Sequence, residues 1–206
     1  YALALYEPQI ANRSVKNLLH YQNDNGGWGA FPQIDGVVPH ESVIKRGELT
    51  SNDVTCHVLE ACEQTNEKGL PFKKGISYLL ETQEQDGHWK TTWWNSDIFA
   101  TAEIAVLMDQ NKYTEPAFCA FNWLETKLDD QTLNLVEYAL LINAFSLYPQ
   151  YSDSLDRAVD ALFEHYYRES LTPTFDSVYF AGLLDLKIYR LSIIVSCLLK
   201  CLEKDH

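Results

Sequence analysis

One pattern in this chain occurs twice, and it restricts the fold more than any other feature. Gln22-Asn-Asp-Asn-Gly26-Gly27-Trp28 is followed sixty-one residues later by Gln83-Glu-Gln-Asp-Gly87-His88-Trp89. Each copy closes a segment with helical periodicity, in the second copy through Ile76, Leu79 and Leu80. The spacing predicts a helix that stops at Asp86-Gly87 in a left-handed turn, with Gln83 in its last turn. The glutamine amide is suited to loose backbone groups at a helix end, and the indole to covering that end. A third, eroded copy is Phe121-Asn-Trp123-Leu-Glu-Thr-Lys-Leu128, where Leu128 replaces the glutamine and the Gly-x-Trp is missing. Copies at such intervals imply an array of helix pairs, each burying its apolar face on the next.

The rest of the chain agrees with an all-α class. Helices are expected from Asn12 or Ser14 to about Asn23, from the start signal Thr50-Ser51-Asn52-Asp53 to about Glu63, from about Phe72 to Glu84 and from about Asp97 to Asp109. Four more are expected at 115–127, 131–147, 152–168 and 175–202. The first six residues (Tyr1 to Tyr6) read as the interior of a helix that Glu7-Pro8 ends. Gly26 to Leu49 reads as a long loop rich in Gly and Pro. Strand signals are almost absent and no linker divides the 206 residues, so we expect one domain spanning 1–206.

Composition excludes some functions. A net charge of −13 argues against a nucleic-acid partner, because phosphate binding needs a basic face. The five cysteines (Cys56, Cys62, Cys119, Cys197 and Cys201) fall in helical patterns and read as reduced core residues of a cytoplasmic protein. No apolar stretch reaches the length that spans a bilayer. The sequence carries no phosphate-binding loop, serine-hydrolase elbow or zinc-protease pattern.

The Gln-x3-Gly-x-Trp copies resemble the QW repeats of squalene–hopene cyclase and the class II terpene cyclase family. The copy from Lys74 to Trp89 fits every position of that pattern, and the first departs at Ser14 and Asn17. Gln22-Asn-Asp-Asn-Gly-Gly-Trp-Gly-Ala-Phe31, Asp53-Val-Thr-Cys-His57-Val-Leu-Glu60 and Tyr189-Arg190 also resemble family segments in order and spacing. The resemblance implies the C-terminal part of a larger cyclase domain, built from paired antiparallel helices as part or all of an α/α toroid.

The resemblance further implies protonation of a terminal alkene or epoxide in a linear polyprenyl (isoprenoid) substrate. Ring closures through carbocations follow, steadied by aromatic faces and protected from water. The family's acid is the middle aspartate of an Asp-x-Asp-Asp motif, which this sequence lacks; Asp129-Asp130 is misplaced for it. The acid is therefore expected upstream of Tyr1 in a longer parent, or on a companion chain. His57 is carried over as the partner of that acid, with Asp53 beside it on one helix face, although Asp53 also fits a helix cap. Phe31, Trp93, Phe99 and Tyr189 are carried over as lining a substrate cavity. Phe31 and Phe99 stand where the family has tyrosines, so hydrogen bonds made by those hydroxyls are lost.

No cofactor and no metal are expected. Asp53, Cys56 and His57 are suitable ligand types, but neighbouring helical residues point about a third of a turn apart and converge poorly on one ion. An apolar substrate makes peripheral membrane contact compatible with the reading. Two alternatives stay open: a non-catalytic toroid that binds an isoprenoid or a helical protein, and a subunit resembling the protein prenyltransferases.

Overall fold

The computed structural model describes residues 7–30, 50–92, 94, 96–130, 132–168 and 194, 195 and 198. Seven helices lie within that range. They are α1 (Pro8–Leu19), α2 (Asn52–Gln64), α3 (Leu70–Thr82), α4 (Asp97–Gln110), α5 (Thr114–Lys127), α6 (Leu135–Phe145) and α7 (Ser152–Arg168), with a short 3-10 turn, Pro149–Tyr151, before α7. The described residues contain no strand, and an isolated antiparallel bridge joins Trp28 and Ser51. The chain forms two compact units, Tyr1–Gln83 and Glu84–His206.

In the first unit α1 packs on α2 and α2 on α3. Proline starts α1, where its fixed φ suits the first helical turn and its missing N–H is not needed. The helix buries Ala11 and Val15, one turn apart, and exposes most of the rest. α2 buries Cys56, Leu59 and Cys62, and α3 buries Phe72, Ile76 and Leu79.

In the second unit α4 packs on α5 and α6, and α6 on α7. α4 and α6 are apolar almost all round, as befits helices covered on several sides. Ile104, Leu107, Met108, Leu141 and Ile142 are essentially removed from water. A capping box starts α6: the Asn134 side chain accepts the Val136 and Glu137 N–H groups at 2.9 and 3.1 Å. The Glu137 carboxylate in turn accepts the Asn134 N–H at 2.7 Å.

Several expectations are corrected. α1 starts at Pro8, not at Asn12 or Ser14, because proline opens a helix as readily as it ends one. α6 is Leu135–Phe145 and so shorter than 131–147, its start fixed by the Asn134 cap. α3 is shifted two residues earlier, to Leu70–Thr82, again with a proline in its first turn. Cys56 and Cys62 are buried, burial pushing the Cys62 thiol up to about 11, whereas Cys119 is exposed and no core residue. Tyr1–Tyr6, the loop from 31 to 49 and the 175–202 helix, apart from 194, 195 and 198, lie outside the described residues.

Candidate functional site

The repeated motif is a closed loop, and its left-handed glycine is not the helix stop that the spacing predicts. α3 ends at Thr82, and Gln83 is its C-cap in extended conformation. The next residues fold back: Glu84 N–H donates to His88 O and Gly87 N–H to Glu84 O, both at 2.9 Å. The first copy repeats these bonds between Asn23 and Gly27 and between Gly26 and Asn23, also at 2.9 Å. Gly26 and Gly87 hold φ of 90° and 100°, a region that favours glycine. A Cβ on Gly26 would lie 2.5 Å from the Lys74 carbonyl oxygen, and one on Gly87 2.5 Å from that of Cys119.

Each loop therefore rests on the backbone of a later helix, α3 for the first and α5 for the second. Lys74 stands nine residues before Gln83 and Cys119 nine before Leu128, so the two helices receive their loops at one register. The residue before each tryptophan also meets equivalent aromatics. A Cβ on Gly27 would lie 2.9 Å from the Tyr78 ring, while His88 stacks on Trp123 with centroids 4.8 Å apart.

The glutamine and the indole do the work expected of them in the first copy. Gln22 Nε2 donates to Gly26 O and to Pro71 O, both at 2.7 Å, joining its own loop to the first turn of α3. Trp28 Nε1 donates to Leu18 O at 2.9 Å, closing the end of α1.

A further element of the device was not visible in the motif. Trp28 N–H donates to Thr55 Oγ1 at 2.9 Å, and the Thr55 hydroxyl faces the Trp28 carbonyl at 3.3 Å. In the second copy Trp89 N–H donates to Thr101 Oγ1 at 3.0 Å, with the hydroxyl 3.3 Å from the Trp89 carbonyl. Both threonines are fully buried. Each loop thus hangs a helix, α2 or α4, from a threonine at a fixed register. A buried threonine inside a helix pattern was the available signal.

On α2 the residues two before and two after this anchor are Asp53 and His57, the carried-over pair. Asp53 is buried in the first turn, where the helix dipole favours a carboxylate. It is not the cap: Ser51 holds that position, and Asp53 Oδ1 accepts the Val54 N–H at 3.1 Å. Burial first, and the Asp53 charge second, push the Tyr78 hydroxyl up to about 12. His57 is half exposed, its Nδ1 3.3 Å from Glu60 Oε2. The start of α2 is also tied to the end of α3, because the Thr82 hydroxyl donates to Asn52 Oδ1 at 2.7 Å.

On α4 the positions two before and two after Thr101 hold Phe99 and Glu103. Phe99 is buried and packs on Trp94 with ring centroids 4.5 Å apart. Glu103 is the sole charged residue between Ile98 and Met108. Phe31, Trp93 and Tyr189 lie outside the described residues.

Beside the second tryptophan, His88 Nδ1 lies 2.5 Å from Asp86 and Nε2 lies 3.5 Å from Asp97. The hydrogen bond from His88 holds the Asp86 carboxyl below its ordinary value. Asp129 pairs with Arg157 at 2.6 Å in an exposed position. A groove of about 470 Å³, lined by Phe118, Phe121, Tyr148 and Tyr151, contains none of the sequence-predicted site residues. Among the described residues no three His, Cys, Asp or Glu side chains gather as metal ligands; Cys56 is fully buried while His57 faces water. No described helix is long and apolar enough to cross a membrane.

Helix pairs locked by Gln-x3-Gly-x-Trp loops define a helical scaffold of the terpene cyclase type. The profile of the squalene-hopene cyclase C-terminal domain matches residues 5–131, and the chain belongs to that family. It is 30% identical over 90 residues to the squalene–hopene cyclase of Alicyclobacillus acidocaldarius, over 40% of this chain and 14% of that protein. Against the squalene-hopene cyclase of Schizosaccharomyces japonicus it is 26% identical over 121 residues, 55% of this chain and 16% of that one. The chain thus matches less than a fifth of the length of these relatives.

Among solved structures, ent-copalyl diphosphate synthase from Streptomyces platensis superposes with a TM-score of 0.64 at 20% identity, over 90% of this chain and 36% of that one. A type II terpene cyclase from Scytonema, in complex with its substrate geranylgeranyl dihydroxybenzoate, gives 0.59 at 17% identity, over 79% and 50%. These likenesses establish the α/α-toroid fold.

Proposed function

We propose that this chain is a module of a class II terpene cyclase, supporting protonation-initiated, carbocationic cyclisation of a linear polyprenyl substrate. The observation that carries the reading is the state of the Asp-Val-Thr-x-His segment. Its threonine is bonded to the first Gly-x-Trp loop, which fixes the Asp53 and His57 side chains one turn apart on α2. The Asp-x-Asp-Asp motif is not in these 206 residues, and in this reading the proton donor is supplied from outside them.

In this reading the imidazole of His57 meets the acid when the acid is in place, keeping its carboxyl oriented toward the terminal alkene or epoxide. The buried Asp53 carboxylate steadies that end of α2. Phe99, with Phe31, Trp93 and Tyr189, offers ring faces to the migrating positive charge. Neither Phe31 nor Phe99 carries a hydroxyl, so cation stabilisation at those positions rests on ring electrostatics alone. The substrate named for one fold neighbour, geranylgeranyl dihydroxybenzoate, supports an isoprenoid chain as the ligand class. Membrane contact, if the protein makes it, is peripheral and serves delivery of an apolar substrate.

One observation favours a second reading: the sequence has no Asp-x-Asp-Asp motif, and His57 lies beside Glu60. On that reading the chain binds an isoprenoid or a helical protein without turning anything over. Incubation with geranylgeranyl diphosphate and with squalene separates the two. The cyclase reading expects cyclic product from the chain joined to its upstream segment or companion, and its loss in His57→Ala. Tight binding with no cyclic product from any of these forms contradicts it.

A further inference from the structure

The groove beside α5 holds none of the residues assigned to the cyclase reaction, and its whole wall belongs to the second unit, Glu84–His206. α5 contributes Glu115, Phe118 and Phe121 at intervals of three residues, a stripe along one helix face. Tyr148 and Tyr151, around the turn that Pro149 starts, supply two more rings. Phe121 lies tilted against both, with ring centroids 4.7 and 5.3 Å apart. Phe118 is 58% exposed and Phe121 is 3% exposed, so the aromatic lining runs from solvent into the core.

The charge of the groove has one sign. Asp109 and Glu115 line it, and among the described residues no lysine, arginine or histidine does. Glu115 sits in the first turn of α5, where the helix dipole accounts for a carboxylate. Asp109 sits in the last turn of α4, where the same dipole disfavours one. The Tyr148 hydroxyl donates to Asp109; burial first, and that bond second, push this hydroxyl well above its ordinary pKa. Tyr151 is 5% exposed, and its hydroxyl lies out of water with no hydrogen-bond partner among the described residues. A buried hydroxyl in that state gains from a ligand that bonds to it.

We propose that this groove binds a small arylalkylamine in its protonated form, the ammonium held by Asp109 and Glu115 and the aryl body lying against Phe118 and Phe121. Ring faces and carboxylates together match an organic cation, through cation–π attraction and charge-assisted hydrogen bonds. The ammonium N–H groups supply a donor to the Tyr151 oxygen. An inorganic cation leaves the rings unused, and the two carboxylates repel a phosphate or any other anion. A volume of about 470 Å³ suits a ligand of that size. The inference does not rest on the cyclase reading, since none of these residues acts in that reaction.

Calorimetric titration of the full chain tests it, with phenethylamine, protonated at neutral pH, and 2-phenylethanol as its uncharged counterpart. The wild type is expected to bind the amine about tenfold more tightly. Asp109→Asn should remove most of that preference and leave alcohol binding little changed. Phe118→Ala, at an exposed ring, should weaken both ligands several-fold without lowering the melting temperature. Nα-acetyl-lysine amide carries the same charge without the aryl body and should bind about tenfold more weakly than phenethylamine. Equal affinity of the wild type for amine and alcohol overturns the proposal, as does the lack of saturable amine binding. A preference unchanged in both variants places the amine elsewhere on the protein and overturns it as well. Lysine amide bound as tightly as phenethylamine overturns the ligand class and assigns the groove to a lysine side chain of a protein partner.

Discussion

The two Gly-x-Trp loops share a backbone, a glutamine and a tryptophan, and differ at the residue before the tryptophan and on the helices they hold. Both close through the same pair of 2.9 Å hydrogen bonds, both place a left-handed glycine on a later helix, and both grip a buried threonine. The residue before the tryptophan is glycine in one and histidine in the other. That histidine stacks on Trp123 and bridges Asp86 and Asp97, whereas Gly27 packs tightly against Thr50, Thr55 and the Tyr78 ring. The helices they hold differ likewise, Asp53 and His57 on α2 against Phe99 and Glu103 on α4. The loops hold the scaffold alike, and the residues two positions from the anchor differ between the two helices.

The equivalence breaks first at the glycines if it is wrong. Gly26→Ala and Gly87→Ala each force a side chain into a left-handed backbone and against a main-chain carbonyl. Each should cost about 3 kcal/mol or more, read from denaturant unfolding. A mild effect at one glycine and a severe one at the other would show that the loops are not the same device. Thr55→Val and Thr101→Val come next. Each leaves a buried tryptophan N–H without its acceptor and should cost about 1–3 kcal/mol, with similar values in the two copies.

His88→Ala sharpens the contrast, since the first loop has no counterpart. Its loss should cost about 1 kcal/mol, through the Trp123 stacking and the partly exposed Asp86 contact. The pH dependence has a defined sign. His88 holds the Asp86 carboxyl below its ordinary value of 3.8, so this stabilisation is complete above that value and fades as pH falls through the lower folded one. The part of the stability gap between wild type and His88→Ala that comes from Asp86 should therefore be complete above about pH 4 and close as pH falls below it. A gap that widens in acid contradicts the Asp86 contact.

The smallest effect is spectroscopic. Tyr78 should ionise near pH 12 in an absorbance titration, because burial and the nearby Asp53 disfavour its charged form. Asp53→Asn should lower that value modestly. No change would place Asp53 away from Tyr78.

The periodic parts of this fold were legible because they rest on local physics. Apolar spacing located α4, α5 and α7 within a residue or so at their starts, and the Thr50-to-Asp53 signal located α2. Helix starts at Pro8 and Leu70 were misplaced, since proline reads as a breaker until the direction of the chain is known. The glycine loop was mistaken for a helix stop because a positive φ fits both, and only the Glu84–His88 closure separates them. Thr55 and Thr101 were not singled out. Their roles depend on which backbone lies opposite, a property of the folded loop and not of any spacing in the sequence.

The central claim is that this scaffold supports a reaction begun by a proton, and isotope transfer tests it most directly. The active form would be given a linear polyprenyl substrate in deuterium oxide and the cyclic product examined by mass spectrometry. The account predicts a product carrying one deuterium at the carbon that first accepts the proton, with none incorporated when His57→Ala abolishes turnover. A cyclic product with no deuterium at that carbon, or no cyclic product from any form of the protein, would contradict it.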